Sequence, residues 1–407
     1  MVIAVMPEGP IAFDGAVYRY SKGERLYLDN LAKHFHEVIL VAFVFREGDP
    51  AYESCIHSPF SAKNITVIEL PGAGPSQPGV GKKLWQFLKI FVLLLRVLPA
   101  ADLLYLFLPS YPSALGWLAG RILRKKHIVY GADDWVQASE SMFKWDNLRG
   151  SWFYRLYAWL NRSMEHLIVR SALFGVAAGG LLREKYNKFG CPTYDTTPRM
   201  TLGQSDVYER LDTCDSSAIM LITVGALIHD KAQYLLIEAF ARLAGRNDLL
   251  RLKIVGQGPE EGKLKRLANE LGVANKIEFV GYIEEEERLY ELLRSADIFV
   301  LSSVTEGFPR ALYEAMAIRL PIVTTDVGGI PHLMTDKVNA RVVRSGDVDG
   351  LALAIDEVIN DGGLRQRMIR EAAKTMDTVF ARMNPAQIAV LVEEYYSNFT
   401  SVTEKKT

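Results

Sequence analysis

Val2-Ile3-Ala4-Val5-Met6 is apolar without alternation, the pattern of a strand buried on both faces. Similar runs return at Glu37 to Val44, Ile65 to Leu70, Leu103 to Leu108 and His127 to Tyr130. Between them, Lys22 to Phe35, Lys82 to Leu98 and Ser113 to Leu123 carry helical patterns, and Arg149 to Ala172 reads as another long helix. Residues 8 to 22 read as a long loop after the first strand. The alternation predicts right-handed βαβ units and a parallel sheet covered on both faces. The second half repeats it. Ala218 to Val224, Arg251 to Val255, Lys276 to Val280, Ile298 to Leu301 and Ile322 to Thr324 read as strands. Lys231 to Leu243, Glu260 to Leu271, Glu284 to Ser295, Pro309 to Arg319 and Pro385 to Asn398 read as helices. Thr193 to Ser217 is polar and turn-rich, so the domain boundary is expected there. The predicted partition is 1–200, 201–378 and a C-terminal segment 379–407.

One strand–loop–helix junction carries the most chemistry. The strand Ile298 to Leu301 runs into Thr305-Glu306-Gly307-Phe308-Pro309-Arg310, and Ala311 to Ala317 are good helix formers. Pro309 suits the first helical position. Glu306 then falls in the loop and Glu314 about two turns into the helix. Free backbone N–H groups and the helix dipole make such a junction an anion site. Carboxylates accept several hydrogen bonds from sugar hydroxyls. The pattern fits a ligand that has both phosphate and sugar.

The spacing Glu-x7-Glu, within E-G-F-P-x-x-x-x-E-A-M-A, resembles the family 4 glycosyltransferases. So do the ordered blocks around it: Val224-Gly225-Ala226-Leu227 with Lys231, Gly256-Gln257-Gly258-Pro259, Phe279-Val280-Gly281, and Val327-Gly328-Gly329-Ile330-Pro331. The resemblance implies a GT-B fold: two Rossmann-like α/β domains, with parallel sheets facing a central cleft and a last helix crossing back to the first domain. It implies transfer of a sugar from a nucleotide sugar to a carbohydrate or lipid-linked acceptor with retention, in surface polysaccharide or glycoconjugate assembly.

The site roles follow from the same resemblance. Lys231 would stabilise the leaving diphosphate and Glu306 the transferred sugar. Glu314 would hold the ribose hydroxyls. The N–H groups of Gly307, Phe308, Pro309 and Arg310 (proline excepted) would lie near sugar and phosphate, with Gly225, Gly256 and Gly258 approached closely by the nucleoside. Gly15 stands near the place of a phosphate-bordering glycine loop. No cofactor and no metal are implied. The chain departs from the family pattern at Ala226, where an arginine is usual, and at Ala232, where a glycine is usual. Ala226, with the thin glycine loop after the first strand, supports a second reading, a non-catalytic nucleotide-sugar-binding or scaffold protein. A third is a nucleotide-sugar epimerase. Gly256-Gln257-Gly258 also invites a dinucleotide reading, but Glu261 stands where the third glycine belongs.

On the acceptor side, Asp133 and Asp134 follow the strand His127 to Tyr130, where the family often has a histidine. Either they orient the acceptor hydroxyl or they cap the next turn. His127 itself, at the strand's start, reads as structural.

Composition narrows the rest. Hydrophobic residues make up 49% and charged residues 23% of 407 positions, ordinary for a globular chain of two domains. A net charge of −1 gives no bulk signal for nucleic acid. Cys55, Cys191 and Cys214 are widely spaced, which fits a reducing cytoplasm. From Lys82 to Lys126, eight Lys or Arg face one acid, Asp102, and aromatic residues are frequent. That asymmetry suggests peripheral contact with anionic lipid. Leu84 to Leu98 alone, too short to span a bilayer, reads rather as a core helix between two strands.

Overall fold

The structure is a computed structural model and describes residues 1–7, 9–49, 58–72, 80–132, 135, 152–196, 207–215, 218–283, 285–306, 309–382 and 385–404. The chain divides into two units, Met1–Thr201 with Arg382–Thr407, and Leu202–Ala381.

The first unit contains β1 (Val2–Met6), β2 (Ile11–Phe13), β3 (Tyr18–Tyr20), β4 (Glu37–Ala42), β5 (Val44–Arg46), β6 (Ser58–Pro59), β7 (Ile65–Glu69), β8 (Leu103–Leu108), β9 (Lys126–Gly131), β10 (Gly175–Ala178) and β11 (Thr193–Thr196). Its main sheet runs β11-β10-β9-β8-β1-β4-β7 and all its pairings are parallel. The uniformly apolar runs sit in the middle: all six residues of β8 are buried. Successive strands leave β1 in one direction through β4 and in the other through β8, so the topological switch lies between β1 and β8.

Several expectations need correction here. Residues 8 to 22 are not one loop: β2 and β3 pair antiparallel within a small sheet, β5-β2-β3-β6. The run Glu37 to Val44 breaks at Phe43, and Val44 begins a strand of that small sheet. β11 lies inside the stretch read as a boundary, and β10 with the helix Gly180–Lys188 precedes it. The helix Val80–Val97 lies between β7 and β8 and joins the core along one face only. It buries Ile90 and Leu94, but Leu84 is 71% and Trp85 58% exposed. No described helix is long and apolar enough to cross a membrane.

The last helix, Pro385–Glu404, completes the first unit's core. Ile388, Ala389 and Val392 are buried there with Leu28, Leu31 and Phe174. The Tyr395 ring lies 5.2 Å from Phe174, and its hydroxyl is 3.0 Å from that of Tyr194.

The second unit contains β12 (Ile219–Val224), β13 (Leu250–Val255), β14 (Ile277–Gly281), β15 (Ile298–Leu301), β16 (Ile322–Thr325) and β17 (Arg341–Val343). They form one parallel sheet, β14-β13-β12-β15-β16-β17. Leu236, Phe240 and Ile355 from the helices Gln233–Ala244 and Val348–Asn360 pack with Leu252 and Val300 from the sheet. The helices Val348–Asn360 and Gly362–Arg382, and β17, have no counterpart in the sequence reading. The switch of strand direction falls between β12 and β15. In sheets of this kind ligands bind outside the carboxyl ends of the strands at that switch.

Candidate functional site

The loops after β12 and β15 meet at the second unit's switch point. After β12 the chain turns through Gly225 to Ile228, then a short 3-10 turn, His229–Lys231, before the helix Gln233–Ala244. Ala232 joins turn to helix with φ 47° and ψ 40°, a left-handed conformation that glycine adopts without cost. A glycine at this position in related sequences thus has a local cause, and alanine here keeps the conformation at a penalty. The two loops are bonded to each other. The Val304 N–H donates to the Asp230 carbonyl at 2.9 Å, and the Ser302 hydroxyl donates to the Ala232 carbonyl at 3.0 Å.

That contact brings Lys231 and Glu306 together. The Lys231 Nζ lies 2.7 Å from both Glu306 carboxylate oxygens. Glu306 is only 6% exposed, while the Lys231 side chain is 26% exposed. The pair presents a fixed cation at the site's surface, backed by a buried carboxylate. The motif resemblance assigns the two residues to different parts of the donor, and the structure makes each the other's partner.

One further side chain, Ser303, holds this carboxylate, and Gly328 packs on the backbone that carries it; neither had a role in the motif reading. Ser303, fully buried, donates its hydroxyl to Glu306 Oε1 at 2.6 Å, and its own carbonyl accepts from the Thr325 hydroxyl at 2.7 Å. Gly328, at φ 55°, lies against the Glu306 backbone: a Cβ there would overlap the Glu306 carbonyl oxygen. The signal for Ser303 was available as a polar Ser302-Ser303 directly after a wholly apolar strand.

The glycines after β13 serve the same loop packing. A side chain at Gly256, φ 140°, would overlap the Gly225 carbonyl oxygen, and one at Gly258 would overlap that of Leu227. The Leu227 N–H donates to the Gln257 carbonyl at 3.0 Å. The close approach these glycines allow in the structure is that of the neighbouring loop's backbone, with Gly225 itself open to solvent on its Cβ side.

The remaining candidates divide. Pro309 is the residue preceding the helix Arg310–Ala317, one position earlier than expected, and is buried. Arg310 is exposed at the helix start and Glu314 half-buried along it. Gly307 and Phe308 lie outside the described residues, as do Asp133 and Asp134. Gly15, at φ 92°, is in the turn of the β2–β3 hairpin. There the Asp14 carboxylate accepts from the N–H groups of Val17 and Ala16 and from Arg19. Those bonds hold its pKa at about 2. The hairpin turn accounts for Gly15 by itself. Ala226 is exposed, and its carbonyl accepts from the buried Gln233 amide at 3.0 Å.

Residues 213–375 match the family model of glycosyl transferases group 1. The lipopolysaccharide core biosynthesis glycosyltransferase LpsE of Rhizobium meliloti is 33% identical over 173 residues, 42% of this chain and 48% of that protein. The putative colanic acid biosynthesis glycosyltransferase WcaL of Salmonella typhimurium is 30% identical over 180 residues, 42% and 44% of the two chains. The chain thus spans about half the length of these curated relatives. Among solved structures, sucrose-phosphate synthase of Thermosynechococcus elongatus superposes with a TM-score of 0.70 at 18% identity, covering 98% of this chain and 99% of that one. Anabaena Alr3699/HepE in complex with UDP does so with a TM-score of 0.66 at 18% identity and the same coverage. At these identities the likeness is one of fold, and that fold, GT-B, extends over nearly the whole chain. Over residues 213–375 the chain carries a glycosyl transferases group 1 domain.

Proposed function

We propose that the protein transfers a hexose-like sugar, with retention, from a nucleoside-diphosphate sugar to a carbohydrate or lipid-linked acceptor in surface polysaccharide or glycoconjugate assembly. The observation that carries this is the Lys231–Glu306 pair at the switch point of the second sheet. Breaking the bond from the sugar's anomeric carbon to the diphosphate leaves negative charge on the departing oxygen. A positioned ammonium stabilises that charge more than it stabilises the ground state. Lys231, exposed enough to meet a phosphate, would do this, and Glu306, held by Lys231 and Ser303, would use its remaining acceptor capacity for hydroxyls of the sugar. Glu314 would hold the ribose, and Arg310 with the first N–H groups of its helix would meet phosphate. Asp133 or Asp134 would serve the acceptor hydroxyl. With Lys231 in the charge-neutralising role, transfer is proposed to need no metal, and chelation should leave the rate unchanged. The relatives named for lipopolysaccharide core and colanic acid synthesis support the polysaccharide setting. The solved relative's UDP supports a nucleotide donor. The unpaired thiols Cys191 and Cys214 support a cytoplasmic location.

One observation favours the non-catalytic reading: Ala226 brings no cation to a position where the family usually has arginine. A thermal-shift series with UDP, GDP, ADP and TDP and their sugars separates the two. A ligand that binds only the folded protein raises its melting temperature. A shift with one nucleotide, lost in Glu314→Ala and followed by donor consumption with added acceptor, is the expected result. A shift without turnover would leave a binding protein, and donor conversion without acceptor would indicate an epimerase.

A further inference from the structure

Three helices of the first unit expose more apolar surface than a solvated face needs. On Val80–Val97, Leu84 (71%), Trp85 (58%) and Leu88 (49%) are exposed, with Val92 a turn further. On Trp152–Arg170 the exposed residues are Trp152 (65%), Leu156, Trp159 (61%), Leu160 and Leu167, spaced as one helical stripe. Leu118 and Ile122 extend it on Tyr111–Ile122. These stripes are neighbours. The Phe87 and Tyr111 rings are 6.1 Å apart, the Tyr111 and Tyr157 hydroxyls 2.8 Å, and the Trp117 indole donates to Ser171 at 2.9 Å just past the third helix. The charges among them have one sign. Lys89, Arg96, Arg121, Arg155, Arg162 and Arg170 are exposed, whereas the acid of these helices, Glu165, is buried and pairs with Lys185 at 2.6 Å. Lys89 also lies 5.6 Å from the centre of the Trp85 ring.

From this arrangement we infer that the three-helix face of the first unit docks on an anionic membrane surface. Tryptophan and leucine would enter the headgroup boundary and the cations would meet lipid phosphates. The combination is what selects lipid: a folded monomer rarely exposes so large a contiguous apolar patch, and a rim of cations alone is complementary to an anionic plane. A second copy of this chain would bring the same cations against themselves, which costs free energy. The inference adds to the proposed function the surface that would meet a lipid-linked acceptor, and it does not depend on the second unit's chemistry.

The test is co-sedimentation of the full chain with phosphatidylcholine vesicles, with and without phosphatidylglycerol, at low and high salt. Binding is expected with the anionic vesicles and should weaken as salt screens the charges. Leu84→Ser with Leu88→Ser, and Arg155→Glu with Arg162→Glu, should each lower the bound fraction about tenfold or more. Leu353→Ser, equally exposed but in the second unit, should change nothing. Brominated lipid should quench tryptophan fluorescence in the bound state. No binding to anionic vesicles at low salt, or binding indifferent to both pairs of substitutions, would overturn the inference. So would a dimer in gel filtration that these substitutions dissociate without any lipid binding, since the occupant would then be a second copy. The donor thermal shift, run on the same variants, reports on the second-unit site alone, so failure there leaves the membrane result standing.

Discussion

At the scale of single residues, the site depends on one buried carboxylate. The Glu306 carboxylate is held inside the protein by Lys231 and Ser303, which both donate to it. Lys231→Met should leave that carboxylate with the Ser303 hydroxyl alone, and a buried ionised group with too few partners costs about 1–3 kcal/mol or more. The same substitution removes the cation proposed for the diphosphate. The expected outcome is a lower urea midpoint together with at least about tenfold weaker donor binding. Adding Glu306→Gln should recover part of the midpoint and none of the binding. Equal stability of Lys231→Met and the parent would mean that the pair does not matter to the fold. The two residues were legible separately, each by its type within a motif. Their pairing was not, because 75 positions separate them. What joins them is the adjacency of β12 and β15, which no local pattern encodes. Gly328 was legible as a motif glycine, but the backbone it must clear, that of Glu306, lies on another loop.

At the scale of elements, legibility followed burial. Strands buried on both faces, such as β1, β8 and β15, were read with their observed ends, because short unbroken apolar runs bounded by polar or turn residues are what a central parallel strand requires. Three-residue strands such as β2, β3 and β17 are too short to show a period, and β10, Gly-Val-Ala-Ala, is too small in side chain to signal burial. His127 shows how one strand is tied to its neighbour. In β9 it is 4% exposed and its Nε2–H donates to the Ile168 carbonyl at 2.9 Å, in the last turn of the helix Trp152–Arg170. Burial, with help from the nearby Arg121 and Lys126 charges, pushes its pKa down from 6.5 to about 4, against the pull of that carbonyl. The fold therefore favours the neutral ring. Its contribution is fully present above pH 6.5 and is lost as pH falls toward 4, since the unfolded chain takes up the proton first. Between those limits stability should fall by up to about 3 kcal/mol from this group. His127→Gln, which can still donate to Ile168, should be less stable at neutral pH yet flatter between pH 6.5 and 4. Urea midpoints across that range, followed through first-unit tryptophans, would show it, and parallel slopes for the two proteins would exclude His127 as the source.

At the scale of the whole molecule, the chain order and the spatial order differ. The chain builds the first unit, then the second, and then returns to finish the first with Pro385–Glu404. The first unit's core is therefore incomplete until the last twenty or so residues are made. Ile388, Ala389 and Val392 are nearly fully buried in it, and Tyr395 adds contacts with Phe174 and Tyr194. Removing this helix would expose apolar surface worth about 5 kcal/mol, with each buried aliphatic side chain contributing roughly 1.5–3 kcal/mol. Domains are stable by only about 5–15 kcal/mol, so the first unit should be left at or below the edge of folding. Among the described residues, the second unit's main buried cluster, which reaches Met368, holds no residue of this helix. A chain ending at Arg382 should thus show early proteolysis within residues 1–201 and keep a donor-induced thermal shift in the remainder. If the first unit resisted protease in that chain, the returning helix would be an ornament of the fold. If the donor shift vanished with it, the second unit's site would depend on the first unit being folded, and the Lys231–Glu306 pair would not be sufficient for donor binding.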